Sequence, residues 1–280
     1  MKFLQKLGKS LMLPVACLPI CGILMGIGYM LAPAAMAGEV AGFQASGIAY
    51  QIGYYLIKAG GALIDNIAIL FAIGIGVGMS EDNDGTGGLA ALASWLMITN
   101  LLATANVTVI MPSIANNPDA TLAFDKIANP FIGIIAGIIG SMCYNKFKGT
   151  QLPNWLSFFS GKRCVAIVAG VTSIIVSVVL LFVWPIVFGA LVALGEAILG
   201  MKAVGAGLYA FFNRLLIPFG LHHALNNVFW FDTIGIGDLT NYWAGKTSAD
   251  VSWSLGMYMS GFFPCMMFGG PGAALAMVHT

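Results

Sequence analysis

Asn213 to Asn227 reads NRLLIPFGLHHALNN, and the placing of its polar groups decides the fold. One guanidinium, two imidazoles and three carboxamides stand in surroundings otherwise fit for lipid. The centre of a bilayer makes such groups costly unless they face a partner or a cavity. Arg214 precedes Pro218 and Gly220, a breaker pair. A helix entering the stretch is interrupted there, and the freed backbone groups must be buried in protein or line a water-filled space. Beyond the break His222 and Asn226 are four apart, as are His223 and Asn227, so each pair shares a face of a resumed helix. A broken helix at membrane depth is a common way to build a substrate site. Arg214, His222, His223, Asn226 and Asn227 are therefore the candidate binding residues. Other roles stay open: Arg214 as a topology anchor or salt-bridge partner, and either histidine as a structural residue packed against a backbone carbonyl.

The composition agrees with a lipid setting. Hydrophobic residues make up 59% of the 280-residue chain and charged residues only 8%, against about 25% charged in soluble domains. One soluble core does not account for this, and the chain reads as an all-α polytopic membrane protein. A formal net charge of +1 excludes the basic excess of a nucleic-acid binder and leaves no polybasic patch. The five cysteines, Cys17, Cys21, Cys143, Cys164 and Cys265, lie in or beside apolar runs without CxxC spacing. No disulfide framework, metal site or cofactor is implied, and they read as small packing residues.

Taken in order, Lys2, Lys6 and Lys9 precede an apolar run from Leu11 to Pro33. That run exceeds the ~7–15 residues of a signal-peptide core, so it reads as an uncleaved first span with a cytoplasmic amino terminus. Ile48 to Ile57, with Tyr50, Tyr54 and Tyr55, is too short to cross and is expected at the outer interface. A second span follows from Ala59 to Met79, in which Asp65 and Asn66 are expected to cap a helix or bond between helices. Glu81-Asp82-Asn83-Asp84-Gly85 fails the ligand spacing of a calcium loop and reads as an acidic turn. Leu89 to Met111 forms a third span and Pro130 to Tyr144 a fourth.

Asn145 to Arg163 carries Lys146, Lys148, Lys162 and Arg163, four of the twelve cationic residues. Four crossings return this connector to the side of the amino terminus, in agreement with the positive-inside rule. Its length and amphipathic centre mark the best internal boundary, between 1–145 and 164–280, with 146–163 as the cytoplasmic connector. Cys164 to Leu194 is too long for one perpendicular crossing and must tilt, kink at Trp184-Pro185 or run past the bilayer. Phe268-Gly269-Gly270-Pro271-Gly272 suggests a second broken element or close helix packing. The chain stops at Thr280 directly after this apolar run and reads like a truncated product.

Five blocks together resemble the membrane-spanning IIC component of the bacterial phosphotransferase system, in its glucose and N-acetylglucosamine branch. They are KLGKSLMLPVACLPICGIL from Lys6, ALIDNIAILFAIGIGVG from Ala62, LPNWLSFFSGKR from Leu152, NRLLIPFGLHHALN from Asn213 and SGFFPCMMFGGPGAALAM from Ser260. They keep the family's order over nearly the whole chain. The resemblance implies a helical scaffold half that also forms a homodimer, and a transport half with re-entrant or broken helices that holds the sugar. On that reading the scaffold is 1–145 and the partial transport part 164–280. It implies a multi-pass protein of the bacterial cell membrane that binds a hexose from outside. A IIB domain, charged through IIA, HPr and enzyme I, then phosphorylates the sugar from a cysteine. The phosphodonor is not in this chain, so it would be the permease component of a sugar phosphotransferase, with no catalytic residue of its own.

Within the family, Arg and His of the RxLIPFGLHH block contribute to the sugar site, here Arg214 and His222 with His223 close by. A neutral imidazole both donates and accepts, as does a carboxamide such as Asn226 or Asn227, and both match sugar hydroxyls. Trp230 and Phe231 either stack on a sugar face or belong to an interfacial belt. The family's Gly-Ile-Thr-Glu block, whose glutamate hydrogen-bonds the sugar, does not occur in these residues. FWFD at Phe229 to Asp232 and the Ser260 block favour N-acetylglucosamine, while the His222-His223 pair is common on the glucose side. A facilitator uncoupled from phosphorylation is the alternative from another class.

Overall fold

The computed structural model describes residues 2–32, 47–116 and 118–216, and then residues 226, 228–230, 236–238, 241, 246–251, 253–260, 275 and 278. Every regular element among the described residues is a helix. The chain divides into two compact units. The first includes Met1–Ala32 and Ser46–Ala190, the second Leu191–Ile217 and Leu221–Thr280.

The first unit opens with α1 (Lys2–Val15) and α2 (Leu18–Leu31), which together form a run long and apolar enough to cross a bilayer. Helix α3 (Ile48–Asp65) packs along α2. Two glycines let the backbones meet: a Cβ at Gly28 would lie 2.7 Å from the Gly53 carbonyl oxygen, and one at Gly53 would lie 2.7 Å from that of Gly28. Close approach through small residues is the usual way that helices associate in lipid, where apolar burial against lipid tails gains little.

Helix α3 corrects the sequence reading of this region. Ile48 to Ile57 is not a separate interfacial segment but the first part of an 18-residue helix. The interruption falls instead at Asn66, where α3 meets α4 (Ile67–Gly78) at a bend of 51°. Asn66 Nδ2 donates to the Ala62 carbonyl at 2.8 Å and so serves an acceptor that the bend frees. It thus caps a helix as expected, at the carboxy terminus of α3 and not at the amino terminus of α4.

Asp84 caps α5 (Gly85–Leu101), its carboxylate accepting from Thr86 N at 2.8 Å. The third span is also bent, by 59°, between α5 and α6 (Thr104–Ile110). A 3₁₀ turn (Pro112–Asn116) and α7 (Pro118–Asp125) lead to α8 (Pro130–Phe147). That helix begins where its sequence says it should. Asn129 accepts from Phe131 N and Ile132 N, while Pro130 occupies the first turn, where its missing N–H is no loss. Helix α8 packs against both α4 and α5.

After a second 3₁₀ turn (Asn154–Phe159), α9 runs unbroken through Trp184 and Pro185 from Lys162 to Gly200. Its 39 residues span about 58 Å at 1.5 Å per residue, against a hydrocarbon core of about 30 Å. An upright α9 would therefore run well past the hydrocarbon core, the third of the options its length left open. Its exposed face carries Val171, Ile175, Val178 and Phe182, whereas Ser173 and Ser177 are buried, each donating to a carbonyl four residues back. Apolar outside and small polar inside is the pattern expected of a helix in lipid. Three described helices or helix runs are long and apolar enough to cross a membrane, and five if each bent pair is one span.

One end of the first unit gathers the charges. Lys6 Nζ donates to the Met79 carbonyl at 2.8 Å, placing a cation at the carboxy terminus of α4. Lys148 meets Glu81 at 2.8 Å and Asp82 at 2.9 Å, and Lys162 pairs with Asp84. Asn145 Nδ2 donates to the Met79 carbonyl and Asn145 Oδ1 accepts from Glu81 N. The amino terminus, the acidic turn and the connector thus lie together. Lys148 holds the Asp82 carboxyl below the usual carboxylate range, and Lys162 does the same for Asp84. In return Glu81 and Asp82 raise Lys148, and Asp84 raises Lys162.

The described cysteines, Cys17, Cys21, Cys143 and Cys164, are free, and all but Cys17 are buried. Cys265 lies outside the described residues.

Candidate functional site

In the second unit, α10 (Ala203–Leu216) ends the chain's approach to the Pro218–Gly220 breakers. Its Tyr209 and Asn213 are four residues apart and share a face, and both are almost wholly buried. Asn226 is buried against them: Tyr209 Oη donates to Asn226 Oδ1 at 2.8 Å, and Asn213 Nδ2 donates to the same oxygen. A carboxamide oxygen has two lone pairs, so both are in use. Trp230 N donates to the Asn226 carbonyl at 2.7 Å, which ties the backbone after Asn226 into a helical turn.

The amide cluster rests on aromatic rings. Tyr209 meets Phe229 at 4.8 Å and Tyr258 edge-on at 5.5 Å, and Phe229 lies 5.0 Å from Tyr258. Such tilted and edge-to-face pairs match the charge distribution of the rings and hold them in place. Tyr258 sits on α11 (Met257–Ser260), and a buried carboxylate sets its position. Asp238 is fully buried and accepts from Trp253 Nε1 at 2.9 Å, Gly256 N at 2.9 Å and Tyr258 N at 3.2 Å. Three N–H donors replace the water a carboxylate loses on burial.

Of the residues expected from the sequence, the structure places Asn226 in the cluster. Arg214 is exposed on α10, next to Asn213 and so turned away from the Tyr209–Asn213 face, and it makes contacts of its own. His222, His223, Asn227 and Phe231 lie outside the described residues. Trp230 is half-buried rather than an open surface residue. Tyr209 had a legible signal, standing four before Asn213 just as His222 stands four before Asn226. Asp238 and Tyr258 had none, because their chief partners are backbone groups and aromatic faces. Among the described residues no group of three histidine, cysteine, aspartate or glutamate side chains is arranged to hold a metal.

Chemically the cluster is a buried set of phenol and amide groups bonded to one another beside aromatic rings, and it fixes the position of Asn226.

The family described as "Phosphotransferase system, EIIC" matches residues 8–280. The N-acetylglucosamine-specific EIICB component of Bacillus subtilis (strain 168) is 41% identical over 286 residues, covering 100% of this chain and 54% of that protein. The N-acetylglucosamine-specific EIICBA component of Escherichia coli (strain K12) is 37% identical, covering 98% of this chain and 38% of its own length. The glucose-specific EIICBA component of Staphylococcus carnosus (strain TM300) is 34% identical, covering 99% of this chain and 42% of its own length. The chain thus spans about half the length, or less, of these relatives.

Proposed function

Since the chain belongs to the phosphotransferase system EIIC family, we propose that it is the sugar-translocating part of a phosphotransferase permease, and that its sugar is N-acetylglucosamine. The observation that carries the choice of sugar is identity along the whole chain. It is 41%, 37% and 34% to three N-acetylglucosamine-specific relatives, against 34% and 33% to two glucose-specific ones. The margin is small, so glucose stays the second reading.

In this proposal the hexose enters from outside and is presented to a IIB domain, which phosphorylates it. The amino terminus, the acidic turn and the basic connector 146–163 face the cytoplasm, as the positive-inside rule favours. Residues 1–145 act as scaffold and dimerisation part, and 164–280 as part of the transport half. Arg214, His222, His223, Asn226 and Asn227 contribute to the sugar site. The buried amide cluster supports this by holding Asn226 in place just beyond the histidine pair. The chain's own part in the chemistry is positioning, since phosphoryl transfer relies mainly on orientation and charge stabilisation.

The test uses membrane vesicles carrying the chain joined to its IIB domain, with phosphoenolpyruvate and the soluble phosphotransferase proteins, and labelled N-acetylglucosamine or glucose. Preferential phosphorylation of N-acetylglucosamine, abolished by His222→Ala, supports both sugar and site. Uptake without phosphoenolpyruvate would establish an uncoupled facilitator instead.

A further inference from the structure

The turn between α9 and α10, with Ser248, Val251, Trp253, Ser254 and Met257, borders an open cavity of about 1120 Å³, formed wholly within the second unit. This is slightly above the usual ~300–1,000 Å³ of small-molecule sites. Its wall combines an indole, Trp253, with Glu196, Lys202, Ser248 and Ser254. Three features of that wall point to one class of ligand.

The indole is fixed before any ligand arrives. Trp253 Nε1 donates to the buried Asp238 carboxylate, which the backbone of Gly256 and Tyr258 also holds. The Trp253 side chain is nonetheless only half-buried, and it lines the cavity. A ring held this way presents area at little ordering cost. Glu196 and Lys202, both exposed, make no ion pair or side-chain hydrogen bond among the described residues. The wall therefore offers an uncommitted acceptor, an uncommitted ammonium and two hydroxyls, of which Ser248 Oγ already accepts from Leu255 N at 3.1 Å and keeps its proton to donate. Finally, Ala206 lines the cavity three residues before Tyr209, and Met257 lines it one residue before Tyr258. The cavity adjoins the aromatic cluster that supports Asn226.

Opposed charges on one wall favour neither an anion nor a cation. Hydroxyls that donate and accept satisfy both charges and both serines, and the C–H face of a pyranose covers an indole. Lys246 to Asp250 are all exposed, so the stretch beside the cavity meets water. We infer that this cavity is a second binding site for an uncharged pyranose, a vestibule in which the sugar rests on Trp253 beside the amide cluster. The ligand class is read from the wall itself and does not depend on coupling to phosphorylation. A zwitterionic lipid headgroup is the competing occupant, disfavoured by the water-facing loop.

Equilibrium dialysis of labelled N-acetylglucosamine against the chain carried within its full-length, detergent-solubilised permease tests this, with glucose run in parallel and glycerophosphoethanolamine as competitor. The wild-type chain should bind two sugars. Trp253→Ala should remove the weaker site, and Trp253→Phe, which keeps a ring, should retain it. Glu196→Leu, at the exposed rim, should weaken that site by about tenfold, the order of one lost charge-assisted hydrogen bond, without altering the melting temperature. His222→Ala should leave the weaker site intact, so that failure of the primary site and failure of the vestibule are read separately. One sugar per chain, an isotherm indifferent to Trp253→Ala and Glu196→Leu, or displacement by glycerophosphoethanolamine at lower concentrations than by sugar would overturn the inference.

Discussion

The Tyr209 hydroxyl donates to Asn226 Oδ1 at 2.8 Å, joining α10 to a residue beyond the Pro218–Gly220 breakers. Because Asn213 Nδ2 serves the same oxygen, the two ends of the pair are not equivalent. Tyr209→Phe removes one donor to Asn226 Oδ1 and the acceptor that Asn213 Nδ2 reaches at 3.5 Å, but leaves Asn226 Oδ1 with a partner, so a loss of about 1–2 kcal/mol is expected. Asn226→Leu removes the acceptor and leaves two buried donors without it, each worth about 1–3 kcal/mol. Thermal melting of the two variants in detergent checks this: the leucine variant should melt well below the phenylalanine one. Equal melting points would show that the cluster does not depend on Asn226.

The charged end of the first unit predicts a flat-topped pH profile. Asp82 and Asp84 lie below their ordinary 3.8, through Lys148 and Lys162 respectively. Their contribution is present above pH 3.8 and fades as pH falls through the lowered folded values. Lys148 and Lys162 lie above their ordinary 10.5. Theirs is full below pH 10.5 and fades as pH rises through the raised folded values. These pairs are at the surface, so salt weakens both limbs. Melting temperature against pH, for the wild type and for Asp84→Asn, provides the measurement. The variant should lose part of the acid limb, and 1 M salt should shrink what remains.

The Gly28–Gly53 crossing predicts a steric defect confined to α2 and α3. At 2.7 Å from backbone oxygen, a Cβ at either position forces the helices apart. Gly53→Val is expected to destabilise by about 1–3 kcal/mol or more, in the range for overpacked sites. Gly22→Ala, where a Cβ meets nothing within 4 Å, is the matched control. Monodispersity by size-exclusion chromatography should fall for the valine variant and hold for the alanine one.

What the sequence showed and what it hid divide along a physical line. The helical class, the acidic turn and its proximity to the basic connector were legible, because sparse charges in an apolar chain have few places to go. The run from Ile48 to Asp65 was split because Ile48 to Ile57, with its three tyrosines, is too short to cross, and nothing in the sequence marks the Gly60-Gly61 pair as part of a continuing helix. A Cβ at Gly60 would in fact lie 2.6 Å from Met25 Cγ and 2.8 Å from the Cys21 carbonyl oxygen. Gly60 thus serves contact between helices, and a glycine that ends a helix and one that lets a neighbour approach look alike in sequence. Asn226 was found from its spacing to His222, and Tyr209 carried the same spacing to Asn213. Asp238 was hidden for another reason: an aspartate whose partners are largely backbone N–H groups looks like any polar loop residue.

Asp238 supplies the sharpest separation of roles. Asp238→Asn keeps the side-chain shape but replaces one acceptor oxygen by an amide that can only donate. Oδ1 serves Trp253 and Gly256, whereas Oδ2 serves Tyr258 N. If the amide takes the Oδ2 position, only the Tyr258 bond is lost; the other orientation loses two bonds. The side chain should therefore settle with its NH₂ toward Tyr258 N, destabilising by about 1–3 kcal/mol for a donor facing a donor. Trp253 would keep its orientation, while Tyr258 would loosen against Tyr209 and Phe229. Limited proteolysis should then cut faster near 257–260 than in the wild type, and the near-ultraviolet circular dichroism of the aromatic cluster should weaken. Asp238→Ala frees Trp253 as well, so it should disturb the indole fluorescence that Asp238→Asn leaves in place. Identical fluorescence changes in both variants would show that the carboxylate does not orient the ring.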